Sequence, residues 1–313
     1  MANYQRANFL NLKMAIIGEC ILKRETVFGE REILCYQTDN FGAIPQIVYK
    51  YLDLTPHHNK DSITKDYLWF ADPTSFNDPF DCQVTFDFRL LAEDESFCRK
   101  YYEFHSRKKE PTLSDADRKF AVDGNVHRIV SNKSNIDFFK ELEKEALSLH
   151  LEGIKDWGIL CTSMINDNTL LWSHYANKHT GVCIGLDVNK LLTKYHGNGE
   201  MGAGDIRYGS YPLIPPPFSD DAKEISETFQ PSFLAKAPFW DYELEYRFLE
   251  YPCVQKRKSI GDILDSVYMG CSISAIDESF VREFCSTHNG KIKLYKASKA
   301  FFKYGIEFNQ VNY

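Results

Sequence analysis

Two glutamates, an aspartate and an arginine alternate with large apolar residues in the stretch Trp240–Phe248. In a β-strand, successive side chains point to opposite faces, so Glu243, Glu245 and Arg247 are expected on one face. A carboxylate in such a row can stabilise a developing positive charge, and its neighbour can accept a proton. The Glu-X-Glu pair is therefore the first candidate for catalysis.

The same alternation has a second interpretation, which the sequence leaves open. A strand with one apolar and one charged face is typical of a half-buried sheet whose charged side is wet and carries weak ion pairs. The charged face of Trp240–Phe248 lines a cleft in the first interpretation and meets solvent in the second.

Further elements must position any such site. Strand patterns are indicated at Ile47–Leu52, Tyr67–Ala71, Trp157–Ser163, Val182–Val188, Ser266–Gly270, Lys291–Lys296 and Phe301–Phe308. The second strand continues into Phe76–Asp81, where the Asp78-Pro79 step predicts a rigid turn. That turn either bends the chain only or lines a pocket with Asn77 and Asp78.

A capped helix between the third and fourth of these strands carries a histidine. Asn166–Thr169 is a helix-start signal, and Gly181 supplies a stop for Leu170–His179. Residues three or four apart share one side of this helix, and they are Leu171, His174, Tyr175 and Lys178. A lone helical histidine is more often a hydrogen-bonded structural residue than a catalyst, so His174 is a secondary candidate. A second amphipathic helix is predicted over Asp277–His288.

Composition limits the partners that we expect. The chain has 313 residues with a formal net charge of −7, which argues against a dominant nucleic-acid surface but leaves room for a local basic patch. There is no apolar run long enough to cross a membrane and no leader pattern, so we expect a cytoplasmic protein without membrane contact. Nine scattered cysteines without a Cys-X-X-Cys pair predict reduced thiols and no metal site.

The irregular mixture of strand and helix patterns predicts an α+β fold. We expect a single main domain over 47–313, with a mixed and mostly antiparallel sheet as its core. Residues 1–46 are expected to form an N-terminal extension. The charged, helix-periodic residues 88–151 are expected to form a helical insertion or cap.

Five pieces of sequence resemble the bacterial family catalogued as domain of unknown function 2971. The similar pieces are Val48–Tyr51, Leu68–Asp81, Cys161–Ser163, Leu171–Ala176 with Gly181, and Trp240–Arg247. The resemblance extends from about Ile47 to Tyr304. It implies a family and no reaction.

A second resemblance is to the ADP-ribosyltransferase fold. Those enzymes carry an Arg or His on an early strand, a Ser-Thr-Ser or Tyr on a middle strand and, on a later strand, a Glu that is often the second of a Glu/Gln-X-Glu pair. Lys50, Thr162 with Ser163, and the Glu243–Glu245 pair follow in that order, with Lys50 in place of Arg or His and Cys161 in place of the first Ser.

The second resemblance implies roles for these residues. Glu245 would stabilise the ribosyl cation through the ribose 2′-hydroxyl, Glu243 would serve the acceptor, and Ser163 would position the ribose or Glu245. Residues implied or considered for binding the nucleotide are Lys50, Tyr51, Thr162, Asn77, Asp78, His174, Tyr175 and Arg247.

The implied function is an enzyme that consumes NAD as a substrate by cleaving its nicotinamide–ribose bond. The acceptor would be a protein, a nucleic acid, a small molecule or water, and the implied setting is a bacterial toxin or phage-defence effector. A non-enzymatic binding or sensor module of a bacterial defence system, or a nuclease, remains the alternative.

Overall fold

The computed structural model describes residues 16–27, 29–38, 42–55, 57–196, 201–219, 221–253, 257–288 and 291–313. Within the expected N-terminal extension of residues 1–46, residues 1–15, 28 and 39–41 lie outside the described residues. The strands, numbered in chain order, are β1 Ile16–Thr26, β2 Gly29–Thr38, β3 Gly42–Pro45, β4 Ile47–Leu52, β5 Tyr67–Trp69, β6 Thr85–Phe86, β7 Gly158–Ser163, β8 Val182–Asp187, β9 Met201–Asp205, β10 Arg207–Tyr208, β11 Leu213–Ile214, β12 Ala235–Lys236, β13 Glu245–Glu250, β14 Arg257–Ser259, β15 Leu264–Met269, β16 Lys293–Lys299 and β17 Ile306–Gln310.

The helices follow in the same order. They are α1 His57–Thr64, α2 Leu90–Glu93, α3 Glu95–Lys109, α4 Asp115–Ser131, α5 Ile136–Gly153, α6 Thr169–Tyr175, α7 Val188–His196, α8 Ala222–Phe233 and α9 Ala275–Ser286. Short 3-10 turns add to them, of which Pro238–Glu243 concerns the site. No helix among the described residues is long and apolar enough to cross a membrane.

The chain divides into two compact units. The first comprises Met1–Ala71, Trp157–Tyr208 and Pro238–Tyr313, and the second comprises Asp72–Asp156 and Gly209–Ala237. The fold is therefore a mixture of α and β elements assembled from discontinuous pieces of chain.

An eight-stranded mixed sheet dominates the first unit. Its strand order is β17-β16-β15-β8-β4-β7-β13-β9. The β15–β16 pair is parallel, and every other neighbouring pair is antiparallel. The sheet is therefore mixed and mostly antiparallel, as the sequence predicts.

The two faces of this sheet bury different kinds of residue. Along β4, Val48 belongs to a large aliphatic core on one face, which also takes in Ile184 of β8 and Phe248 of β13. Tyr51 belongs to an aromatic cluster on the other face, together with Trp172 of α6. We call this second side of the sheet the aromatic face.

A separate three-stranded antiparallel sheet precedes β4 in the first unit, with order β1-β2-β3. Ile33, Cys35 and Ile44 of this sheet are buried in the aliphatic core. Ile21 and Leu34 are directly opposite each other on β1 and β2, and both are exposed. The N-terminal strands thus contribute to the core of the first unit, while Ile21 and Leu34 remain exposed.

The second unit has its own core. Helices α3 and α4, with α5 and the small parallel β6–β11 pair, bury a cluster that includes Phe86, Leu91, Cys98 and Ile129. The expected helical segment 88–151 contains α2 to α4 and most of α5. Its role as an insertion or cap remains a prediction, as does the boundary at residue 46.

The main difference between the structure and the sequence-based prediction concerns the strand expected over Trp240–Phe248. Pro238–Glu243 is a 3-10 turn, and the strand begins only at Glu245. Leu244 takes a left-handed conformation with φ of 43°, which ends the turn and starts the strand. The carbonyls of Tyr242 and Glu243 accept hydrogen bonds from the side chains of Asn168 and Ser163.

The end of the chain also differs from the expectation. The sequence predicts a strand over Phe301–Phe308, but residues 301–304 form a turn and β17 begins at Ile306. The strand predicted at Ile47–Leu52 is confirmed with the same bounds. The other five predicted strands and both helices occur with ends shifted by a few residues.

Candidate functional site

A row of residues crosses three neighbouring strands on the aromatic face. Glu245 on β13 lies directly opposite Ser163 on β7, and Ser163 lies directly opposite Tyr49 on β4. Residues that are directly opposite each other in a sheet project to the same face. The fold therefore brings the predicted acid Glu245 next to Ser163, although 82 positions separate them in the sequence.

Arg247 holds the carboxylate of Glu245 at two points. Its Nε lies 2.7 Å from Oε1, and its Nη2 lies 3.0 Å from Oε2. Both residues are buried, and Arg247 has no exposed surface. Such a bidentate pair fixes the orientation of the carboxylate, because the guanidinium fork matches both oxygens at once.

Glu243 lies at the end of the 3-10 turn and is buried as well. Its Oε1 accepts a hydrogen bond of 2.8 Å from the hydroxyl of Tyr175 on α6. Its backbone carbonyl accepts one of 2.6 Å from the Ser163 hydroxyl. Ser163 thus contacts the backbone of one candidate acid while lying opposite the other.

Helix α6 is fixed over the aromatic face by its first turn. Asn168 caps the helix through its side-chain oxygen and donates from Nδ2 to the Tyr242 carbonyl at 2.7 Å. Trp172 is fully buried, and its indole N–H donates to the Asn166 carbonyl. Its ring meets Tyr51 edge-on at 5.4 Å between centroids. Tyr175 is therefore presented to Glu243 by a helix that is anchored at several points.

Burial keeps two tyrosines of this face, Tyr49 and Tyr51, in the neutral form. Burial raises the pKa of Tyr51 well above its ordinary value of 10.0, and its hydroxyl donates to the Ile165 carbonyl at 2.9 Å. Burial also raises the pKa of Tyr49, which contacts Tyr268 edge-on. Glu243 and Glu245 are themselves almost completely buried, so their charges are weakly screened by solvent.

The N-terminal hairpin contacts the margin of this cluster. Arg24 pairs with Asp205 on β9, and Arg31 pairs with Asp167 just before α6. The backbone N–H of Val27 at the hairpin tip donates to Asp241 at 2.9 Å. Asp241 lies two residues before Glu243, so the hairpin is attached to the same turn that carries a candidate acid.

Lys50 and Thr162 do not join this cluster. Strand alternation puts Lys50 on the face opposite Tyr49 and Tyr51, and its ammonium donates to the Cys161 carbonyl at 2.9 Å. Thr162 lies opposite Tyr246 on the aliphatic side and donates to its carbonyl. Lys50 therefore lies on the face of the sheet opposite Glu245 and Ser163.

Three further sequence-based candidates are His174, Asn77 and Asp78. His174 is exposed on α6, while its neighbour Tyr175 makes the contact with Glu243. Asn77 and Asp78 belong to the second unit, where Asn77 is exposed and Asp78 accepts from the Phe80 N–H at 2.9 Å. That hydrogen bond belongs to the local turn that the sequence predicts.

Three site residues are missing from the sequence-based candidates. Tyr49 and Asn168 lie within segments that the sequence marks as a strand and a helix start. Tyr208 accepts a hydrogen bond of 2.8 Å from the backbone N–H of Glu245. No sequence pattern around Tyr208 predicts this contact. Among the described residues, no group of three or more His, Cys, Asp and Glu side chains is arranged to hold a metal ion.

Comparisons with known proteins support one of the two resemblances. The family model described as a protein of unknown function, DUF2971, matches residues 171–248. That stretch begins in α6 and ends in β13, so it contains Tyr175, Glu243, Glu245 and Arg247. Comparisons with curated proteins and with solved structures return no match.

Proposed function

We propose that this chain is an NAD-consuming enzyme of the ADP-ribosyltransferase type, which cleaves the bond between nicotinamide and ribose. The observation that carries the proposal is the buried pair Glu243 and Glu245, held beside Ser163 by Tyr175 and Arg247. Clusters of buried ionisable groups occur at catalytic sites more often than elsewhere. The family match over residues 171–248 contains four of these five residues.

The chemistry suits a carboxylate in a dry setting. When the C1′–N bond breaks, its electron pair goes to the nicotinamide nitrogen, and positive charge develops on the ribose. A carboxylate that accepts a hydrogen bond from the 2′-hydroxyl stabilises this transition state more than the ground state. Glu245 is assigned this role, with its carboxylate oriented by Arg247.

The second carboxylate is assigned to the acceptor. An incoming hydroxyl forms the new bond to C1′ and loses its proton, which Glu243 accepts. The Tyr175 hydroxyl holds the Glu243 carboxylate in one orientation for that transfer. With water as the acceptor, the same arrangement hydrolyses NAD to ADP-ribose and nicotinamide. A bacterial toxin or phage-defence effector is the setting that we propose from the resemblance.

A second candidate function has one specific observation in its favour. The Arg247 guanidinium is completely buried and occupies both oxygens of Glu245, which is also what a structural ion pair would do. In that case the chain is a binding or sensor module, and its polar row serves only to fix the position of β13.

Incubation of purified protein with NAD separates the two functions. The proposed enzyme releases nicotinamide, measured by chromatography, with water, protein or nucleic acid supplied as acceptor. A binding module leaves NAD intact under all these conditions. Failure to bind or turn over labelled NAD, with cell extract present, would contradict the enzyme proposal.

A further inference from the structure

The turn between β16 and β17 exposes three aromatic rings. Phe301, Phe302 and Tyr304 lie within the loop that the hydrogen bond from Ala300 N–H to the Gly305 carbonyl closes at 3.0 Å. Phe302 is 99% exposed and Phe301 is 79% exposed, and Tyr304 is fully exposed. We call these three residues the aromatic tip.

Exposure of apolar rings to water is unfavourable, so a cluster of exposed rings indicates an interaction site. Isolated exposed apolar residues are common, but three adjacent rings on one turn form a patch, and patches of this kind mark interaction sites. Phe302 also has φ of 61°, a left-handed conformation that bulky residues adopt at a cost. Strain of this type is retained mainly at functional positions.

The surroundings of the aromatic tip are basic. Residues 291–310 contain five lysines and one acidic residue in a chain whose net charge is −7. Lys293 and Lys296 form ion pairs with Asp265 and Glu278. Lys299 and Lys303 are exposed on either side of Phe301 and Phe302. The tip therefore combines rings with positive charge.

Further rings lie on the outer two strands, on the aromatic face. Tyr295 of β16 stacks on Tyr268 at 4.7 Å between centroids, and Phe308 of β17 meets Tyr268 edge-on at 4.9 Å. Tyr295 and Phe308 are half-buried and lie on the same side of the sheet as Lys299. Along β16, Lys299 therefore lies between Tyr295 and the aromatic tip.

We propose that the aromatic tip, with Lys299 and Lys303, binds single-stranded nucleic acid. Bases stack on aromatic side chains whatever their sequence, while lysines attract the phosphates between them. A lipid surface is the less suitable partner, because residues 300–304 offer rings and a lysine but no aliphatic side chain larger than that of Ala300. This binding is independent of the proposed NAD chemistry.

The test measures the fluorescence anisotropy of labelled oligo-dT and oligo-U of about 15 nucleotides at low salt. We expect binding that weakens roughly sevenfold between about 50 and 200 mM salt, as contacts from two lysines to phosphates predict. Replacement of all three tip residues by alanine should weaken binding at least about fivefold. Lys299→Gln with Lys303→Gln should remove most of the salt dependence.

Matched controls keep the result specific. Phe120 is 84% exposed on α4, so Phe120→Ala removes an exposed ring elsewhere and should leave oligonucleotide binding unchanged. Lys140→Gln with Lys144→Gln does the same for exposed lysines of α5. All substituted side chains are exposed, so circular dichroism should show wild-type folding for each variant.

Three outcomes would overturn the proposal. They are absence of oligonucleotide binding at low salt, equal binding by the triple alanine variant, and tip-dependent binding to vesicles with anionic lipid but not to oligonucleotides. A duplex of the same length should bind more weakly than the single strand, because its bases are not free to stack on the rings.

Discussion

The hydroxyl of Tyr175 donates a 2.8 Å hydrogen bond to the carboxylate of Glu243. This contact joins helix α6 to the turn before β13 and gives a buried acid a neutral donor. We expect Tyr175→Phe to lower the free energy of unfolding by about 1–3 kcal/mol, since a hydrogen bond to a charged buried group is lost. Urea denaturation measures the change. Tyr304→Phe, which removes an exposed hydroxyl, is the control and should have no effect; equal stability of both variants would exclude the contact.

Arg247 and Glu245 should show strong coupling in stability. Arg247→Met leaves the Glu245 carboxylate buried without its guanidinium and should cost about 3–5 kcal/mol. Replacement of both residues by methionine should cost less than the single change, because no charge then remains to be desolvated. A double-mutant cycle from denaturation curves measures this coupling. Additive costs would show that the two groups do not interact as the distances indicate.

Trp172 should be a structural residue of the aromatic face. Its indole is fully buried against Tyr51, so Trp172→Ala should cost about 3–5 kcal/mol of stability. Trp69 is 50% exposed, and Trp69→Ala serves as the control with a smaller cost. Thermal denaturation separates the two. A Trp172→Ala protein that is stable but has lost function would instead assign the indole to the site.

The second unit should lose stability at mildly acidic pH through His150. Burial lowers the pKa of this ring from 6.5, so the folded state favours the neutral form. The unfolded chain then binds more protons, and the stability that His150 contributes is present above pH 6.5 and lost as the pH falls through the folded pKa. Unfolding free energies measured across this range should fall less steeply for His150→Leu. Exposed His127→Leu should follow the wild-type curve.

Strong periodic patterns predicted much of the first unit. The β4 strand and the capped helix α6 followed from alternation and a helix-start signal. The β9 strand was not predicted, because Gly202 and Gly204 are more typical of a loop. In the structure, these two glycines pair with residues of β13. A local sequence pattern does not reveal a partner strand that lies more than forty residues away in the sequence.

The errors at the site have similar causes. The alternation from Trp240 to Phe248 fits a strand, but side chains of Ser163 and Asn168 capture the carbonyls of its first half, and these contacts are long-range. The face on which Lys50 lies follows from its pairing with Ile184 in the aliphatic core, which the sequence of β4 alone does not reveal. Tertiary contacts, which local sequence patterns do not reveal, therefore determine both where the β13 strand begins and on which face Lys50 lies.

The release of nicotinamide from NAD by Glu245→Gln protein is the most direct test of the proposed function. Glutamine keeps the size of glutamate and one acceptor oxygen but removes the negative charge. We expect wild-type protein to release nicotinamide and Glu245→Gln to be slower by about a hundredfold or more. Glu243→Gln should be milder with water and more damaging with a specific acceptor, and exposed Glu307→Gln should be as active as wild type. Folded Glu245→Gln protein that releases nicotinamide at the wild-type rate would contradict the assignment of this carboxylate to the reaction.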